Sequence, residues 1–156
     1  MDGELALQRP APAFPSLGIS PASLAIIKKG TDAVTNTPLG TAFRARINEK
    51  GKEMGGKTGT AQVRRISKKE RESGTIKDLN LPFEERDHAL FVGYAPYKDP
   101  RFVVSVVVEH GGGGSKVAAP IGRDILLETQ RRIEKEIQST IAGNDTALYG
   151  GVGERR

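Results

Sequence analysis

The 156-residue chain contains no cysteine, which rules out disulfides and thiolate metal sites but selects no compartment. No stretch approaches the ~18–20 consecutive apolar residues that a bilayer-spanning helix needs. The opening residues, "MDGELALQRPAPAFPSLG", begin acidic and have no apolar core segment, so they do not read as a signal peptide. An export signal for a protein acting outside the cytoplasm is therefore expected upstream of Met1. No internal repeat is visible. The length suits one domain with a real core and is short for two.

The formal net charge is +5. Much of the basic excess lies in "RRISKKER", 64–71, with arginine pairs also in the last helical segment and at the tail. A basic run can serve nucleic acid or an anionic surface. This one has no interleaved aromatic residue and is broken by Glu70 and Glu72, so it reads as a solvated loop, and no nucleic-acid partner is expected.

Residues 1–19 carry three prolines and read as an extended segment. Ser20-Pro21 is a helix start, Ser as N-cap and Pro at the first helical position. Leu24, Ile27, Thr31 and Val34 then follow helical spacing, which predicts a helix over 21–35 with one buried stripe. Asn36, Pro38 and Gly40 end it. A short strand is expected at 42–49 and another, "KTGTAQV", at 57–63. Residues 64–86 read as a long polar loop. "HALFVGYAPY" (88–97) and "RFVVSVVVEH" (101–110) are strands joined by "PYKDP", a link too short for anything but an antiparallel hairpin. The continuous apolar run of the second predicts burial on both faces. "GGGGS" (111–115) reads as flexible punctuation. A helix is expected over 117–138 with Ile121, Ile125, Ile133 and Ile137 on one stripe, and 139–156 as a disordered tail.

Within this frame "GKEMGGKTGT" (51–60) has two readings. Gly51-x-x-x-x-Gly56-Lys57-Thr58 fits a phosphate-cradling P-loop. That motif needs a helix to begin at the Lys-Thr so that its N-terminal N–H groups hold phosphate. Here Gly59 and β-branched residues follow, which is poor helix chemistry. The antiparallel hairpin also conflicts with the parallel sheet of P-loop proteins. The second reading is the triplet Lys57-Thr58-Gly59, the K-T-G of serine acyl-transfer enzymes that recognise penicillin. On an edge strand, it leaves backbone open for an extended peptide to pair with. The lysine offers positive charge to a carboxylate, the threonine hydroxyls offer donors, and a backbone N–H can face an oxyanion.

"GGKTGTAQV", "RDHALFVGYAPYKDP" and "VVSVVVEHGGGGSKVAAPIGRDIL", with "GISPASLAIIKKGTDAVTNTPLGTA" before them, resemble the end of the transpeptidase domain of class B penicillin-binding proteins. The likeness is nearest to the elongation-specific penicillin-binding protein 2 group and covers about 1–138 in order. It implies an α+β fold of the penicillin-binding-protein/β-lactamase-like type. The part in hand is a meander of 57–63, 88–97 and 101–110 flanked by helices at 21–35 and 117–138. It implies D,D-transpeptidation, a serine acyl transfer that cross-links D-Ala-D-Ala stem peptides, with β-lactams as mimics. Lys57 and Thr60 are then the catalytic residues: Lys57 tunes proton transfer at the serines, and the Thr60 N–H is an oxyanion donor. Lys57, Thr58, Gly59, Thr60 and Gln62 bind substrate, with Gln62 continuing the strand along the cleft. No metal and no cofactor is called for. The implied partners are stem peptides, β-lactams, the upstream part of the same domain and elongation-machinery proteins such as a glycosyltransferase. The implied setting is a protein anchored in the bacterial inner membrane with this region in the periplasm.

The chemistry also needs a serine nucleophile in S-x-x-K and a second serine in S-x-N. None of Ser16, Ser20, Ser23, Ser67, Ser73, Ser105, Ser115 and Ser139 has a lysine three residues on, and none begins S-x-N. The chain is therefore expected to be inactive alone, as the C-terminal portion of a larger enzyme. A truncated, non-catalytic binding module is the alternative. In the family the sheet has five strands and the last pairs with an upstream one, so 101–110 is expected to present an apolar, association-prone edge. His88 and His110 read as strand-end histidines bonded to loops rather than a metal pair. Glu109 reads as a structural partner at the end of a buried strand, and Tyr94 and Tyr97 as packing and turn residues.

Overall fold

The computed structural model describes residues 15–65, 68, 72 and 81–149, with side chains to 141. Helix α1 spans Pro21–Asn36, and strands β1, β2 and β3 span Gly55–Ala61, His88–Ala95 and Phe102–Val108; helix α2 spans Ala118–Tyr149. Single 3-10 turns sit at Phe43–Ala45 and Phe83–Glu85. The sheet is an antiparallel meander in the order β1-β2-β3. The α+β meander flanked by two helices is the arrangement the sequence implies.

The register sorts every sheet residue onto one of two faces, because successive side chains alternate. Thr58 pairs with Phe91 and Phe91 with Val106, so these three share a face. Lys57, Val92 and Ser105 share the other. The first face is the core. Ala89, Phe91 and Ala95 are fully buried and Val106 nearly so. Helix α2 covers it with Ala118, Ala119, Gly122 and Leu126, small or apolar residues at roughly one-turn spacing. The Phe91 ring lies against Gly56 and Gly93 of the sheet and Gly122 of α2. Burying an aromatic side chain this completely is worth about 3 kcal/mol.

Helix α1 is tied to the sheet at its C-terminal half. Ser20 caps it by accepting from the Ser23 N–H at 3.1 Å, a contribution of about 1 kcal/mol. Further along, the Thr31 and Tyr94 hydroxyls are 2.7 Å apart. Thr35, fully buried, donates to the Met54 carbonyl at 2.7 Å, and Asn36 donates to the same carbonyl at 2.9 Å. These bonds fix where β1 begins. Tyr94 stacks on Tyr97, with ring centroids 6.4 Å apart. Burial, then the nearby Asp32 and Tyr94, raise the Tyr97 phenol above its ordinary value.

Several expectations need correction. The strand expected at 42–49 is instead a turn built around the 3-10 segment, with Ala42, Ala45 and Ile47 buried. The spacing of Ala42 and Ala45 places them on one side of a three-residue turn. Strand β1 is displaced toward its glycines: Gly55 and Gly56 are inside it, and Gln62 and Val63 are beyond its end. Strand β3 is not buried on both faces, since Val103 is 77% exposed and Val107 60%. The isoleucine stripe of α2 is not its packing face. Ile121, Ile125 and Ile137 are exposed, and the helix turns the neighbouring stripe inward. In α1, Leu24 and Ile27 are exposed and only Thr35 is fully buried. The "GGGGS" segment is packed rather than loose: Gly112 and Gly114 are buried, and the Gly112 N–H donates to the Asp87 carbonyl at 2.8 Å. Helix α2 continues past Gln138 to Tyr149, into the stretch expected to be disordered. Each added residue closes one more backbone hydrogen bond once the helix is nucleated. Residues 1–14, 150–156 and most of 66–80, with much of the basic run at 64–71, lie outside the described residues.

Candidate active-site wall

Lys57, Thr58, Gly59 and Thr60 all lie in β1, at the edge of the sheet. Among the described residues no strand pairs with the other side of β1. Half of its backbone N–H and C=O groups therefore face outward, since alternate residues of an antiparallel strand point these groups the same way. Such an edge is what an extended peptide adds to. Lys57 and Thr58 sit in mid-strand with no helix beginning at them, which removes the P-loop reading. A P-loop lysine stands at a helix N-terminus.

Lys57 is exposed, and its ammonium donates to the Thr58 carbonyl at 2.7 Å. Its side chain leaves the sheet on the face opposite to Thr58 and Thr60, as alternation requires. The two threonines share a face and so can address one group together. Thr58 is half-buried and its hydroxyl lies 3.1 Å from that of Thr41. Thr60 is exposed. Gly59 is backed by the glycine turn after β3. A Cβ placed on Gly114 would come within 2.3 Å of both the Gly59 and Leu90 carbonyl oxygens. That approach demands glycine at 114 and braces the middle of β1. Gln62, expected to extend the strand, is exposed and lies past its end.

The end of the sheet beyond Thr60 is fastened by residues 86–88. The Asp87 carboxylate accepts from the Val63 N–H at 3.2 Å. His88 Nδ1 accepts from the His110 N–H at 2.9 Å, and His110 Nδ1 lies 3.0 Å from the Arg86 carbonyl. A carbonyl can only accept, so His110 carries its proton on Nδ1 and His88 carries its own on Nε2. The two histidines are therefore strand-end residues bonded to loops, as expected. Among the described residues no group of three or more acidic or histidine side chains is placed to hold a metal. Glu109 is exposed in the turn after β3 rather than at the end of a buried strand.

Sequence reasoning missed Thr41. The signal was present in the "GTA" of 40–42, where Gly40 packs on α1. A Cβ at Gly40 would meet the Ala33 and Val34 carbonyl oxygens at 2.3 Å. The Ala42 N–H donates to the Val34 carbonyl at 3.0 Å, and Ala42 is buried. Thr41 is held between these two fixed neighbours and faces the K-T-G strand.

The architecture agrees with comparisons to known proteins. A profile of the penicillin-binding protein transpeptidase domain matches residues 8–127. The chain belongs to that family. It is 41% identical over 99 residues to the peptidoglycan D,D-transpeptidase MrdA of Haemophilus influenzae, covering 64% of this chain and 14% of that protein. It is 34% identical over 101 residues to the MrdA of Escherichia coli K12, covering 65% and 15%. Among solved structures it resembles the penicillin-binding protein PBP2 in a complex with MreC from Helicobacter pylori. The TM-score is 0.53 at 28% identity, over 69% of this chain and 18% of that one. The chain thus spans about a seventh of the curated relatives it matches.

Proposed function

We propose that this chain supplies the K-T-G wall of a peptidoglycan D,D-transpeptidase. The serine nucleophile and its lysine come from a segment not contained in these residues. The observation that supports this reading best is the placement of Lys57-Thr58-Gly59-Thr60 on an open sheet edge, backed from behind by the glycine turn. The stem peptide lies along β1 as an added strand. Thr58 and Thr60 donate to its terminal carboxylate, or to that of a β-lactam. The Thr60 N–H faces the oxyanion, and Lys57 holds positive charge beside the reacting serine. The serine attacks the penultimate D-Ala carbonyl, expels the terminal D-Ala, and passes the acyl group to an acceptor amine. No metal or cofactor is needed for these steps. Gln62, beyond the strand end, is left as a flanking contact.

The setting that goes with this reading is the periplasmic side of a bacterial inner membrane, with the anchor outside this chain. Among the described residues no helix is long and apolar enough to cross a membrane. An elongation-machinery protein is the natural macromolecular partner, in keeping with the MreC-bound structural relative.

The reading is tested in the assembled transpeptidase, this chain joined to the segment bearing the nucleophile. Lys57→Ala is expected to slow acylation by a fluorescent penicillin by on the order of 10²-fold, the scale of losing one preorganised electrostatic contact. Thr60→Val is expected to weaken it less. Acylation at the wild-type rate in Lys57→Ala would reject the assignment.

A second reading, a binding module without catalysis, draws on the absence of an S-x-x-K serine from the chain. It predicts retention on peptidoglycan by this chain alone.

A further inference from the structure

We infer that Thr41 is a positioning residue for substrate recognition: its hydroxyl donates to Thr58 and so frees the Thr58 proton for the substrate carboxylate. The inference rests on the transpeptidase reading above. It starts from the 3.1 Å contact between the Thr41 and Thr58 hydroxyls, in which either oxygen is geometrically able to donate.

The proton count decides the direction. A hydroxyl has one proton and two lone pairs. If Thr58 donates to Thr41, its single proton is spent and it can only accept from other groups. A carboxylate also only accepts, so such a Thr58 would repel it. If Thr41 donates, Thr58 keeps its own proton and can aim it at the carboxylate. Accepting a hydrogen bond also polarises the Thr58 O–H, which strengthens the bond it gives. An anion arriving at Thr58 therefore selects the arrangement in which Thr41 is the donor.

Thr41 is well placed for this task. The turn that bears it cannot drift, because Gly40 lies against the α1 carbonyls and Ala42 is buried and bonded to Val34. The Gly40 N–H donates to Thr37 and the Phe43 N–H donates to Gly40, at 2.8 and 3.1 Å. The side chain between these anchors is exposed, at the rim of the same face as Thr58 and Thr60. Lys57, reaching the Thr58 carbonyl, completes a line of contacts running from Thr41 through Thr58 to the ammonium.

The test uses the assembled transpeptidase and two probes, benzylpenicillin and its methyl ester, which differ in the carboxylate alone. The quantity read is the ratio of their acylation efficiencies. Thr41→Val keeps the shape and removes the donor, and is expected to reduce the preference for the free acid about tenfold, through binding more than through the acylation rate. Thr41→Ser keeps the hydroxyl and is expected to hold the wild-type ratio; Thr41→Ala repeats the loss in a side chain with no branch to accommodate. A role confined to stability would slow both probes alike, and that result, or an unchanged ratio, would overturn the inference while leaving the transpeptidase reading intact. Failure of the wild-type assembly to react with either probe would reject that reading and this inference with it.

Discussion

The two faces of the sheet are built from the same kinds of residue and meet opposite fates. Phe91 and Val106 are buried beneath α2, while Val92, one position from Phe91, is 53% exposed and Val103 is 77% exposed. Nothing in the composition of "FVVSVVV" separates its members. The separation comes from the two-residue period of the strand together with α2 lying along one face, while α1 meets the other at its Tyr94 end. The face under α2 closes within this chain, and the other, which also bears Lys57, stays open around Val92, Val103 and Val107. These three valines stand exposed alongside Lys57. The difference teaches that β1 serves both faces at its edge: Thr58 and Thr60 stand on the face that α2 covers, and Lys57 on the face left open.

The largest effect is expected from breaking the closed face. Phe91→Ala is predicted to cost about 3–5 kcal/mol, because the ring fills the space over Gly56, Gly93 and Gly122. Val103→Ser on the open face is predicted to change stability by less than about 0.5 kcal/mol. Paired urea titrations would show it, and equal losses would contradict the two-face account.

A middle-sized effect concerns association. Strand β3 has no partner on its outer edge among the described residues, and Val103 and Val107 stand exposed beside it. At tens of micromolar the isolated chain is expected to self-associate, and a Val103→Lys, Val107→Lys double variant to shift it toward monomer with little change in stability. Light scattering reads both, and a wild-type monomer would show that the open face needs no cover.

The smallest effect lies at the rim of the closed face. Lys52 pairs with Glu49 at 3.3 Å and Glu134 at 2.9 Å, and Arg131 bonds to Glu49, linking the 49–52 turn to α2. The Arg131 hydrogen bond, with help from Lys52 and against partial desolvation, lowers the Glu49 carboxyl from its ordinary value of 4.5. A lowered carboxyl contributes stability that is complete above its unfolded value and fades as the pH falls through its folded value. Melting temperature followed from pH 6 downward should therefore fall less in Glu49→Gln than in wild type below about pH 4.5. The gap should be small and shrink with salt, as for any exposed pair.

Much of the frame was legible in the sequence. Ser20-Pro21 marks the start of α1, "PYKDP" forces the hairpin, and the K-T-G triplet falls on an edge strand as its β-branched neighbours suggest. The misreadings share a physical cause. Apolar runs report that a segment is apolar, and which side is covered depends on partners far away in sequence. The "FVVSVVV" run and the isoleucines of α2 both looked like core, and each is covered on one side or less. The start of β1 was misplaced because glycine weakens a strand by propensity, whereas Gly55 and Gly56 are needed where the Tyr94 and Phe91 rings come close. The glycine turn at 111–115 reads as loose for the same reason, yet Gly114 lies against Gly59, a contact invisible to local pattern. The placement of Lys57, Thr58, Gly59 and Thr60 on an edge strand was legible from the motif. Gln62 was carried too far along the strand. Thr41 was missed, because its relation to Thr58 depends on how α1 docks.

The central claim is that these residues form a wall of the site and do not hold its nucleophile. The most direct measurement is intact-protein and peptide mass spectrometry after benzylpenicillin treatment, on this chain alone and on the assembled transpeptidase. The account predicts no adduct on the chain alone and, in the assembly, one adduct on a serine outside these residues that diminishes in Lys57→Ala. A stable penicilloyl adduct on any serine of this chain would contradict it.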